Sequence, residues 1–149
     1  MLLRYLFPFQ TKVPFNLLKK RILENPQTIG EKILNRRLEL GLFRADAANI
    51  LNVCTDTITN WEKNKGEPKI QSYPQIIKFL GYFPVVIDTS DLAGKIKEYR
   101  YFNGLSQEQL ASQIGVDEST IFHYENGKHM PTTKTVKKIT SLLKARLHL

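Results

Sequence analysis

The chain has 149 residues, 42% of them hydrophobic, and a formal net charge of +8. That composition excludes a disordered chain, and the length allows one domain or two small ones. The single cysteine, Cys54, excludes an internal disulfide framework and suits a reducing compartment, and no apolar run approaches the roughly 18–20 residues needed to span a bilayer. The basic groups are spread along the chain: residues 1–29 carry +4, 30–81 carry +2, 82–92 carry −2 and 93–149 carry +4. Such a balance fits a polyanionic partner, nucleic acid or a membrane surface, or else ordinary solubility charge.

Residues 1–27 form an apolar and basic arm. Its opening stretch, MLLRYLFPFQTKVPF, is interrupted by Arg4 and Pro8 and lacks a small-residue cleavage site, so no signal peptide is expected. The arm reads as packed on the body, as a partner-binding tail, or as the result of a mis-called start codon. A first unit spans 28–81. Thr28-Ile29-Gly30-Glu31 is a capping box opening a helix to Leu40, and Gly41 stops it. A short helix over about Arg44–Leu51 follows, then Asn52 in a left-handed turn position and a helix over about Asp56–Lys63. Pro74 suits the first turn of a fourth helix ending at Gly81. Phe43 and Cys54 stand where capping residues are preferred, so these helices are less well capped and Phe43 is expected to pack.

Residues 82–91 read as a linker that is not Gly/Ser-rich. Tyr82, Phe83, Val85, Val86 and Ile87 are expected to pack, and one short extended run makes no sheet. The second unit, 92–149, opens with a helix over Leu92–Phe102 ended by Asn103-Gly104. Ser106 and Gln109 form a capping box for Gln107–Ile114, and Gly115 takes the left-handed turn. Asp117 is a good N-cap for Glu118–Glu125, with Ile121 and Tyr124 inward. A last helix runs from Thr132 or Thr133 to about Arg146 with a buried stripe of Val136, Ile139, Leu142 and Leu143.

The two units repeat one another. Gly30–Gly81 aligns without a gap on Ala93–Lys144, an offset of 63 residues. Identical pairs include Arg37/Arg100, Gly41/Gly104, Ala48/Ala111, Ile58/Ile121, Glu62/Glu125, Lys65/Lys128 and Pro68/Pro131. This is an internal duplication. A short helix, a tight turn and a second helix packed across it make a helix-turn-helix. The stretch LSQEQLASQIGVDESTIFHYENGKHMP (Leu105–Pro131) resembles the lambda-repressor/Cro-type, XRE-like family, and GLFRADAANILNVCTDTITNWEKNKGEP (Gly41–Pro68) is a looser match. The fold class expected is all-α, with two tandem lambda-repressor-like units.

The resemblance implies double-stranded DNA as partner, with the second helix of each motif in the major groove. It places Glu118, Ser119 and His123 at base-reading positions, Gln107 at the start of the supporting helix, and Asn126 and Lys128 in the phosphate-contacting loop. In the first unit the matching positions are Thr55, Asp56 and Asn60, with Arg44 at the supporting helix and Lys63 and Lys65 in the loop. Asn60 either hydrogen-bonds adenine or is simply an exposed helix residue; His123 either donates to a base or phosphate or lies in solvent. Glu118 either accepts from a cytosine amino group or serves the helix dipole. Neither reading helix contains Arg, so G-rich sites are not favoured.

No catalytic constellation is legible. His123, His129 and His148 fit no zinc spacing, Cys54 has no cysteine partner, and no Gly-rich phosphate loop follows a strand. The expectation is a cytoplasmic, nucleoid-associated regulator of bacterial or phage type, with no enzyme activity, no cofactor, no metal and no membrane partner. A homodimer or a protein partner is compatible with the sequence. The alternative is a protein-interaction module, such as an antitoxin or anti-repressor, that retains the DNA-binding fold.

Overall fold

The computed structural model describes residues 22–146, and among them there are eight α-helices and no strand. Expectations for residues 1–21 of the arm lie outside the described residues. The chain divides into two compact units, one comprising residues up to Pro68 and Gln75–Pro84, the other Lys69–Pro74 and Val85 onward.

In the first unit, α1 (Ile29–Glu39) begins with the expected capping box. Thr28 Oγ1 accepts from the Glu31 amide at 3.1 Å, and Glu31 Oε2 accepts from the Gln27 and Thr28 amides at 2.7 and 3.2 Å. The Gln27 and Thr28 amides, with the Asn64 side chain, hold the Glu31 carboxyl below its ordinary pKa. A depressed folded-state pKa means that the cap stabilises the fold above the ordinary carboxylate range. This contribution fades as the pH falls through the folded value. Asn35 clamps the chain before α1: its Oδ1 accepts from the Leu23 amide at 2.9 Å and its Nδ2 donates to the Leu23 carbonyl at 2.7 Å.

Helices α2 (Arg44–Leu51), α3 (Thr55–Glu62) and α4 (Tyr73–Leu80) complete this unit, with α4 contributing from Gln75 onward. Ile33, Leu51, Ile58, Trp61, Ile76 and Phe79 form its core. Each such side chain contributes about 1.5–3 kcal/mol by leaving water. Arg36 Nε donates to the Phe79 carbonyl at 3.2 Å, satisfying an acceptor in the last turn of α4. Phe43 stands at the N-cap, 45% exposed, and its amide donates to Asp46 Oδ2 at 2.9 Å. In the segment after α4, Phe83, Val85 and Ile87 are partly buried as expected, and Tyr82 and Val86 depart from expectation. Pro84 is buried, but Tyr82 is half exposed and Val86 fully so.

In the second unit, α5 (Leu92–Asn103) is capped by Asp91, whose Oδ1 accepts from the Gly94 amide at 2.8 Å. The Ser106–Gln109 capping box opens α6 (Gln107–Ile114) as expected. Helix α7 (Glu118–Glu125) has Asp117 at its N-cap in extended backbone, but the Asp117 side chain makes no capping hydrogen bond. What it offers the helix is its charge near the positive end of the dipole. Helix α8 (Thr133–Arg146) starts behind Thr132, whose Oγ1 accepts from the Thr135 amide at 3.3 Å. Its stripe is thinner than expected: Ile139 is buried, whereas Val136, Leu142 and Leu143 are only partly so. Lys138 Nζ ties α8 to the end of α6 by donating to the Ile114 carbonyl at 2.7 Å.

Candidate nucleic-acid interface

The pairs α2–α3 and α6–α7 turn in the same way. Asn52 (φ 54°) and Gly115 (φ 78°) take the left-handed conformation after the first helix of each pair. The amides of Val53 and Val116 then donate to the carbonyls of Ala48 and Ala111, both at 3.0 Å. Each second helix is fixed from inside by Ile58 and Trp61, or by Ile121 and Tyr124, all buried. With those residues inward, the opposite face of α3 carries Thr55, Asp56 and Asn60, all exposed. The matching face of α7 carries Glu118 and Ser119, exposed, and His123, half-buried.

A buried ion pair anchors each arrangement. Arg37 meets Glu62 through Nε–Oε1 at 2.5 Å and Nη2–Oε2 at 3.0 Å, while Nη1 donates to the Leu42 carbonyl at 2.9 Å. Arg100 repeats this on Glu125 at 2.6 and 3.0 Å, with Nη1 on the Leu105 carbonyl at 3.0 Å. The carboxylate has a further partner in each unit. Arg44 Nε donates to Glu62 Oε2 at 2.7 Å, and Gln107 Nε2 donates to Glu125 Oε2 at 2.9 Å. Thus the first residue of α2 is tied to the last residue of α3, and the first of α6 to the last of α7. In the first unit two guanidinium groups share one carboxylate, leaving one positive charge in excess. In the second the charges balance. Sequence reading missed these pairs because 25 residues separate the partners; the signal available was their identity in both repeats.

The loop residues Lys63, Lys65, Asn126 and Lys128 are exposed after α3 and α7. Asn126 Nδ2 donates back to the Phe122 carbonyl at 2.7 Å, and Lys128 Nζ lies 5.5 Å from the Phe122 ring centroid. His123 has a buried Nδ1 without a hydrogen-bond partner among the described residues. Cys54, exposed at the N-cap of α3, lies 3.0 Å from Thr57 Oγ1, a contact that holds its thiol below the usual pKa. Among the described residues, no cluster of His, Cys, Asp or Glu could hold a metal ion, and no helix is long and apolar enough to cross a membrane.

A helix with an exposed polar face, braced by a second short helix across a tight turn, defines a helix-turn-helix protein. A family model described as helix-turn-helix matches residues 96–148. An uncharacterized helix-turn-helix-type transcriptional regulator of Archaeoglobus fulgidus is 38% identical over 53 residues, 36% of this chain and 76% of that relative. Antitoxin HipB of Escherichia coli is 33% identical over 67 residues, 45% of this chain and 76% of HipB. A putative helix-turn-helix-type transcriptional regulatory protein of Methanobrevibacter smithii is 29% identical over 127 residues, 85% of this chain and 37% of that protein. No solved structure matches significantly. The chain belongs to the XRE/Cro-type family of DNA-binding helix-turn-helix transcriptional regulators.

Proposed function

We propose that this regulator binds one asymmetric stretch of double-stranded DNA through both units, and that it represses transcription by occupying its site. The observation that carries this reading is the repeated ion-pair brace, which orients the start of the supporting helix and the reading face together in each unit. Helix α7 reads base edges with Glu118, Ser119 and His123, and α3 with Thr55, Asp56 and Asn60. Asn60 is suited to bidentate pairing with adenine. Arg44, oriented by Glu62 and carrying the excess charge of its cluster, anchors a phosphate at the N-terminus of α2. Gln107 holds the corresponding place in the second unit. Lys63, Lys65, Asn126 and Lys128 border the same backbone.

The reading faces differ, so the site is not palindromic. Linkage of two units raises effective concentration without a new contact. The acids Asp56, Asp117 and Glu118 lie where phosphates approach, so affinity rests on the flanking cations. In this reading the protein works in the cytoplasm as a binding protein, with no catalytic step or cofactor. The similarity to Antitoxin HipB favours one second reading, in which a protein partner is bound as well. Retention of a protein at 1:1 stoichiometry, insensitive to salt, would support it.

Arg44→Ala and Lys128→Ala are each expected to weaken binding about equally across DNA sequences. Each should also flatten the plot of log affinity against log salt by about one unit. Fluorescence anisotropy over a salt series checks this. An unchanged slope removes that residue from the phosphate contacts.

A further inference from the structure

Phe122 stands on the outward face of α7 and remains 44% exposed. At roughly 100° per residue it falls between Glu118 and Ser119 around the helix, away from the buried Ile121 and Tyr124. The core does not account for a ring in that place. Its neighbours restrict it: Lys128 Nζ lies 5.5 Å from its centroid and the His123 ring packs edge-on at 5.6 Å. A cation at that distance is attracted to the ring face. The repeat has Thr59 at the matching position of α3. Thr59 Oγ1 donates to the Thr55 carbonyl at 3.0 Å, so its hydroxyl is used within the helix and its γ-methyl is the group left to offer. Both reading helices therefore put an apolar group among polar ones at the same register.

The major-groove edges of the four bases include one apolar group, the thymine 5-methyl. We infer that Phe122 reads a thymine 5-methyl in the half-site of the second unit, with Thr59 holding the corresponding place in the first. Phe122 thereby sets a base preference that the hydrogen-bonding residues around it do not. This inference rests on the proposal that the second unit reads DNA.

The test uses the full chain and a duplex bearing its selected site, with each thymine replaced in turn by deoxyuridine. That exchange removes the methyl and nothing else. The expected result is a loss of about three- to fivefold at one or two positions of the second unit's half-site, the worth of one buried methyl. Phe122→Ala should bind the thymine and uracil duplexes alike at those positions, while Phe122→Leu, which keeps an apolar contact, should retain part of the difference. Equal wild-type affinity for every uracil duplex would overturn the inference and leave the DNA reading intact. So would an undiminished thymine preference in Phe122→Ala. Absence of any site-selective binding would end both. Because the wild-type series requires no variant, a folding defect in Phe122→Ala does not obscure the outcome.

Discussion

Replacing Arg100 by alanine is expected to destabilise the second unit by about 3–5 kcal/mol. Arg100 is buried, and it gives two hydrogen bonds to Glu125, whose side chain is only 5% exposed. Without the guanidinium, Glu125 keeps only the neutral Gln107 amide as a side-chain partner among the described residues. A carboxylate held out of water with no counter-charge is costly. The matching Arg37→Ala should cost less, because Arg44 still offers a positive charge to Glu62. Removing both partners with Arg100→Met and Glu125→Leu should recover most of the loss, since an apolar pair leaves no charge stranded. Urea unfolding followed by amide hydrogen exchange within each unit measures both effects. A loss below about 1 kcal/mol for Arg100→Ala would mean that the pair behaves as an exposed one.

Gly30→Ala is expected to be the most damaging single-methyl change in the first unit. A Cβ at Gly30 would overlap the backbone carbonyl of Trp61, so α1 could not keep its seat against α3. Backbone cannot yield as a flexible side-chain tip does, and the cost is expected at about 3 kcal/mol, the upper end for overpacking. Trp61 is the only tryptophan in the sequence and lies in this core, so its fluorescence follows the first unit alone. Gly66→Ala is the control: nothing lies within 4 Å of its added Cβ, and its effect should stay within about 0.5 kcal/mol. Equal midpoints for the two variants would show that α1 shifts away from α3 at no cost.

Much of the helical order was legible because its signals are local. The capping boxes at Thr28 and Ser106, the left-handed Asn52 and Gly115, and the inward Ile58, Trp61, Ile121 and Tyr124 all sit where sequence spacing puts them. The misses have physical reasons. Asp117 has the right side chain and backbone for a cap yet makes no bond, because identity and backbone do not set its rotamer. Val86 is apolar but solvated, since hydrophobicity says nothing about whether a surface is there to receive it. The brace from Arg37 to Glu62 links residues far apart in sequence, and only the repeat hinted at it. At the candidate interface, residue types suggested polar readers, and the same habit hid Phe122, whose exposure is visible only once the helix is packed.

Selection from a random duplex library at two salt concentrations shows whether both units read DNA. The expected recovery is one asymmetric site longer than a helical turn, with affinity falling steeply as salt rises. Recovery of a single short half-site would contradict reading by both units, and no enrichment over weak, salt-sensitive binding would contradict sequence-specific recognition itself.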